Sequence, residues 1–202
     1  MYTTKINKTK LINQKLLQPR KSSLVWFGYT VFIWSLLYMI PHLYWALGGT
    51  IGISMLKPSI SELPEFKMIN WIASVFLTAA GFLGIALIYL RRQLVIRSLL
   101  LSITLVGCSL STSHGIYGIF YRIFQVIGVA RLTSGPFNTN EQVYVLWDLF
   151  LFEPWFMIEG ILLGIVGLCY LNEKRNKKIW ITFCSVGIMV GIITGLLGIR
   201  FA

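Results

Sequence analysis

Apolar residues fall in five long blocks, at about 24–48, 68–90, 98–120, 143–171 and 179–199, with short polar or basic stretches between them. A helix needs ~20 mostly apolar residues to cross a bilayer. None of the blocks shows the strict alternation of a half-buried strand. The pattern predicts an all-α fold: a polytopic transmembrane helix bundle of about five spans, occupying residues 24–202 behind a basic tail at 1–23. A cleaved signal peptide would carry an apolar core of only ~7–15 residues, so the first block is expected to be a retained helix. Within the tail, Leu11, Ile12, Leu16 and Leu17 alternate with lysines. They fit either a short surface helix or an unstructured basic arm.

Local breakers refine the blocks. Pro41 interrupts the far end of the first, and Gly48-Gly49 ends it. Tyr38, His42 and Trp45 share one face if the helix continues past the proline. Ala80 and Gly84 give the second block a small-residue contact face, and Gly107, Ser111 and Gly115 do the same for the third. The third pattern runs on to Val129, longer than a bilayer needs. Either one helix projects beyond the membrane, or a separate interfacial helix begins near Gly118. Ser134 to Asn138 reads as a turn. Pro154 is expected to kink the fourth block. Gly187, Gly191 and Gly195 form a GxxxGxxxG stripe in the fifth. Tight packing inside the bundle is its default reading, and homo-oligomer formation or a membrane-protein partner the alternative.

Composition agrees with the pattern. Of 202 residues, 56% are hydrophobic and 12% charged, against about 25% charged in soluble domains. The net charge is +11, but the cations lie in the loops, which argues for lipid head groups as partners and against nucleic acid. The tail and the stretches at 91–97 and 172–178 hold 13 of the 18 lysines and arginines. The positive-inside rule then places these three stretches in the cytoplasm, the N-terminus inside and the C-terminus outside. The expected surroundings are the lipid bilayer of a bacterial cell membrane, with anionic lipids at the basic face. Cys108, Cys169 and Cys184 each stand alone in apolar sequence, so buried free thiols are expected.

Candidate chemistry lies in the fourth block, which carries Asp148, Glu153 and Glu159. An acid at a bilayer centre costs roughly 2.5–3.5 kcal/mol on insertion scales and usually faces a bundle interior or a wet cavity. With His42 and His114, these acids fall in the predicted outer half of the bundle. The expectation is one outward-facing polar cavity with His42, Tyr44, Trp45, His114, Asp148, Glu153, Trp155 and Glu159 as its candidate binding residues, and with Trp45, Tyr117, Trp147 and Trp155 at its rim. On an unbroken helix Asp148, Phe152, Trp155 and Glu159 share a face and Glu153 points elsewhere. Each residue also has a structural reading. His42 is tolerated at an interface. A neighbouring hydroxyl or carbonyl satisfies His114. Asp148 caps a helix or meets Arg122 or Arg131. Glu153 caps a restarted half-helix. The aromatic residues form an interfacial belt. Glu159 is the hardest to explain without a site. No HxxxH or ExxH spacing supports a metal, and no phosphate loop or dinucleotide fingerprint is present, so neither metal nor cofactor is expected.

His42-Leu43-Tyr44-Trp45-Ala46-Leu47-Gly48-Gly49 resembles the H-x-Y-W-A-L-G-G signature of a family of small uncharacterised bacterial integral membrane proteins. Trp147-Asp148, Phe152 and Pro154 resemble the family's later W-D-x-R-x-Y-x-P stretch, with Phe150 in place of the arginine and Glu153 in place of a small residue. The resemblance implies a multi-span membrane protein and carries no known activity.

Three function classes fit these residues. The first is a non-enzymatic binder or transporter of a small or amphiphilic molecule, with Glu159 and His114 as its polar handles. The second is an accessory or immunity-type protein that acts through a partner. The third is an intramembrane acid–base enzyme on a lipid-like substrate. No internal repeat of the kind seen in many small transporters is visible.

Overall fold

The computed structural model describes residues 22–56, 64–90, 94–128 and 139–197. All but two residues of the expected tail, and the turn expected at 134–138, lie outside them. The described chain is an all-α bundle. Helix α1 spans Ser22–Ala46, α2 Phe66–Leu90, α3 Leu94–Val126, α4 Thr139–Trp147, α5 Glu153–Tyr170 and α6 Lys174–Leu196. A π-turn over Asp148–Phe152 joins α4 to α5 without a break, which makes five long rods. Among the described residues, α2, α3, the α4–α5 rod and α6 are long and apolar enough to cross a membrane. Helix α1 is as long as α2, at 25 residues, but its tryptophans, tyrosines, His42 and Pro41 make it less apolar.

Neighbours pack where small residues let backbones approach. Helices α1 and α2 run antiparallel, and a Cβ on Gly84 would fall 2.7 Å from the Gly28 carbonyl oxygen. The contact face of α2 is Gly81 and Gly84 rather than Ala80 and Gly84, because Gly81 lies against Phe32 and Ser35. Helices α3 and α5 also run antiparallel, with Gly115 against the backbone of Glu153 and Met157, and Gly160 against Thr112 and the Cys108 carbonyl. The stripe on α6 is spent inside the bundle: Gly187, Gly191 and Gly195 lie on Ser109, Ser113 and Tyr117 of α3. The core between these contacts contains Val31, Leu87, Ile88, Leu163, Val166 and Tyr170.

Several boundaries differ from the sequence expectation, each for a physical reason. Helix α3 starts at 94 and runs to 126 as one continuous helix of 33 residues, so the chain past Gly118 continues the span. Tyr117, Tyr121 and Gln125 are buried along this extension, and Gly195 packs against Tyr117 and Phe120. Helix α6 begins at Lys174, inside the stretch expected to be a turn. Lysine and arginine are good helix formers, and their long stems let the charges reach water. Pro41 does not end α1, so Tyr38, His42 and Trp45 do share a face.

The cysteines are free thiols as expected, Cys108 buried and Cys169 and Cys184 half-buried. Cys108 and Cys184 do not stand alone: their sulfurs lie 3.1 Å apart across α3 and α6. A membrane-permeant oxidant should therefore convert this pair into an intramolecular disulfide and leave Cys169 open to alkylation, as read by peptide mass spectrometry. Equal alkylation of all three would contradict the α3–α6 register.

Candidate functional site

The π-turn decides how the acids are arranged. Proline lacks an N–H and its ring clashes with the carbonyl four residues back. The wider turn before Pro154 absorbs that conflict, and the Glu153 N–H reaches the Asp148 carbonyl five residues away. One extra residue in the turn rotates Glu153 onto the side of Asp148. Both now face α3, while Trp155 and Glu159 face α1. The expected grouping of Asp148 with Trp155 and Glu159 is therefore corrected. The unbroken-helix assumption omitted the inserted residue.

Facing α3, Asp148 pairs with Arg122 through Nε of the guanidinium. Nη1 of Arg122 donates to Gln125 Oε1 at 2.6 Å, and Nη2 contacts the Tyr144 hydroxyl. The Tyr144 and Tyr121 rings flank the cation at 4.6 and 5.4 Å. The guanidinium is thus fixed by three acceptors, of which Asp148 takes the Nε–H. Glu153, 6% exposed, lies in a notch made by the missing side chain of Gly118, where a Cβ would fall 1.8 Å from its carboxyl carbon. His114 Nε2 lies 3.8 Å from Glu153 Oε2, and its ring meets Phe156 edge-on at 4.8 Å. The His114 side chain is 53% exposed, so it forms the outer wall of the Glu153 seat.

Facing α1, Glu159 is 3% exposed, and Oε1 accepts from the Ser35 hydroxyl at 2.6 Å. Trp155 stacks on Trp34 at 4.2 Å and on Tyr38 at 5.3 Å. Phe156 closes on Tyr38 edge-on at 5.2 Å. The Trp34 indole donates to the Trp155 carbonyl at 3.3 Å. Three buried polar atoms of this rod have no hydrogen-bond partner in the protein: Glu153 Oε2, Trp155 Nε1 and Glu159 Oε2. Buried polar atoms are normally satisfied, so three within the first two turns of α5 mark it out. Among the described residues Arg122 is already engaged by Asp148, and the His114 ring at 3.8 Å from Glu153 is a charge partner only when protonated.

The remaining candidates have local tasks. His42 Nδ1 donates to Asn70 Oδ1 at 2.8 Å, the tautomer set by Asn70 Nδ2, which donates to the Phe66 carbonyl. The Tyr44 hydroxyl accepts from the backbone N–H groups of Thr50 and Ile51 at 3.2 Å. Trp45 is buried, and its indole donates to the Ile51 carbonyl at 2.9 Å. Gly48 takes the left-handed conformation at φ +95°, and Gly49 N–H returns to the Tyr44 carbonyl at 2.9 Å, which is a Schellman helix end. A Cβ on Gly49 would enter the Tyr44 ring at 2.2 Å. The residues from Tyr44 to Gly49 therefore build a locked helix terminus, with His42 tied to α2 one turn before it. Of the expected rim, Trp45 and Tyr117 are buried and Trp147 is part-exposed.

The expected single cavity is thus resolved into pairs: His42 with Asn70, Ser35 with Glu159, His114 with Glu153, and Arg122 with Asp148. Sequence reasoning did not single out Ser35, Asn70 or Gln125. Each is a buried polar side chain on a largely apolar helix, and that is the signal that would have found them. No group of three or more His, Cys, Asp or Glu side chains among the described residues could hold a metal ion.

Fold and site together define an all-α membrane-type bundle with a row of buried carboxylates on one rod. The chain belongs to a family described as a protein of unknown function (DUF3995), matched over residues 25–163. The match includes Asp148, Glu153 and Glu159 and stops before α6. No curated protein and no solved structure matches the chain.

Proposed function

We propose that this chain is a multi-pass protein of the bacterial cell membrane, N-terminus inside, that binds a small amphiphile between α1, α3 and α5. The head group it suits is a hydrogen-bond donor, above all an amine. One observation supports this reading: Glu153 and Glu159 each bury a carboxylate oxygen without a hydrogen-bond partner beside the aromatic stack of Trp34, Tyr38, Trp155 and Phe156. Carboxylate and aromatic faces together are the chemistry that holds an ammonium group away from water. His114, half-exposed beside Glu153, is the side chain past which a head group would enter from the bilayer.

The test uses the full chain in nanodiscs and three twelve-carbon amphiphiles that carry an amine, an alcohol or a carboxylate. At a hundredfold excess over Kd, the amine should raise the unfolding temperature by about 5–10 °C, and the carboxylate should not. Glu153→Gln should erase the preference for the amine. Equal shifts from all three compounds, or an amine preference that survives in Glu153→Gln, would remove this reading.

A further inference from the structure

A second feature lies at the opposite, basic end of the bundle and is independent of the amphiphile reading. Helices α3 and α6 touch where Gly187 and Gly191 meet Ser109 and Ser113. Nearer their N-termini Trp180 takes up the space, its ring against Gly167 of α5 and its indole donating to the Gly164 carbonyl at 3.1 Å. A crevice of about 400 Å³ remains between the two helices and the turn at 171–173.

Its lining is graded. Arg97, Ser98 and Asn176 stand at the mouth, while Leu101, Leu105 and Trp180 form the wall. From Arg97 to Leu105 is eight residues of α3, or about 12 Å along the axis, so the wall reaches well below the charged rim. Arg97 donates to the Tyr170 carbonyl at the end of α5, which fixes the cation at the mouth. Lys174, Arg175, Lys177 and Lys178 are exposed on the first turns of α6, and Arg91 and Arg92 precede α3 in the sequence. Glu173 is the opposing charge in the lining, and Asn176 Nδ2 donates to it at 3.1 Å. Beside the crevice, Val95, Leu99, Ile103 and Ile179 expose large apolar surface, which a bilayer would cover. One guanidinium at the mouth, with four exposed cations on the adjoining turns of α6, above an apolar wall and beside exposed apolar side chains, matches one ligand shape.

We infer that this crevice is a binding site for a single anionic phospholipid, its phosphate at Arg97 and Ser98 and its first acyl carbons against Leu101, Leu105 and Trp180. A soluble phosphate would use the mouth but not the wall. A zwitterionic lipid would use the wall but gain less from the cations.

Native mass spectrometry of the full chain in detergent tests this with phosphatidylglycerol, phosphatidylcholine and glycerol 1-phosphate as probes. Phosphatidylglycerol should be retained about fivefold better than phosphatidylcholine, the contribution expected of one cation at a membrane surface. Glycerol 1-phosphate should not be retained. Arg97→Gln should lose the preference. Ser102→Trp, at an exposed position in the lining, should fill the crevice and lose the bound lipid without loosening the bundle, as checked by unchanged thermal unfolding in lipid-free detergent. Equal retention of the two lipids, retention of glycerol 1-phosphate alone, or an intact preference in Ser102→Trp would each overturn the assignment.

Discussion

Replacing Arg122 by alanine should destabilise the bundle by about 3–5 kcal/mol, the cost of leaving one partner of a buried ion pair without the other. For a chain of this length that is a fall of roughly 2–4 °C in unfolding temperature per kcal/mol. Both side chains are nearly buried, at 12% and 13% exposure, so water cannot replace the lost cation. Asp148 would keep only its weaker contact to the Tyr144 hydroxyl at 3.4 Å. Adding Asp148→Asn to Arg122→Ala should recover much of the loss, because the uncompensated charge goes with it, and the double-mutant cycle measures that coupling. Arg122→Lys should recover little. The guanidinium reaches Asp148, Gln125 and Tyr144 from three different nitrogens, a fork that a single ammonium cannot reproduce. An Arg122→Ala protein that melts with the wild type would show that the pair is solvated and that this end of the α4–α5 rod is not buried.

The same pair shows how far the sequence could be read. Asp148 meeting Arg122 was one of two partners open to it, because both arginines lie just beyond the apolar block. What fixed the choice is the length of α3, and the charged and small residues after Gly118 hid that length. The π-turn was hidden more deeply. Proline announces a disturbance in a helix but not whether the chain kinks or widens, and one inserted residue moves every later side chain by about 100°. Glu153 therefore changed face although its position in the chain was plain. The rods themselves were legible because bilayer length leaves few alternatives. The glycine stripe of α6 was legible because close approach requires small residues at every fourth position. The neighbours of Glu159 and His42 were not, since Ser35 and Asn70 are ordinary small polar residues whose meaning comes only from the helix opposite. The H-x-Y-W-A-L-G-G segment shows the reverse case. Its place in the outer half of the bundle suggested a ligand site, but a helix end accounts for Tyr44, Trp45, Gly48 and Gly49, and Asn70 of α2 for His42.

Close packing between α3 and α5 gives the second large effect. Valine at Gly160 or at Gly115 should destabilise the chain by about 1–3 kcal/mol or more, the usual range for overpacking, and should lower the yield of folded protein in detergent. The contact atoms decide the sign. A Cβ at position 160 would fall 2.5 Å from the Thr112 backbone nitrogen and 2.9 Å from the Cys108 carbonyl. At 115 it would fall 2.5 Å from the Met157 nitrogen and 2.6 Å from the Glu153 carbonyl. Backbone cannot step aside as a side chain does, so the two helices must separate, and the Glu153 seat at Gly118, on the same interface, opens with them. Gly107 supplies the internal control. It lies on the same helix as Gly115, but a Cβ there would meet only the tip of Leu163, at 3.3 Å. Gly107→Ala should therefore be near neutral or stabilising by up to about 1 kcal/mol, since alanine favours helix over glycine by that amount. If Gly107→Ala and Gly160→Val shift the melting temperature alike, α3 and α5 are not in the register that seats the buried acids. If only Gly160→Val and Gly115→Val fail, the carboxylate row rests on a contact that admits no side chain.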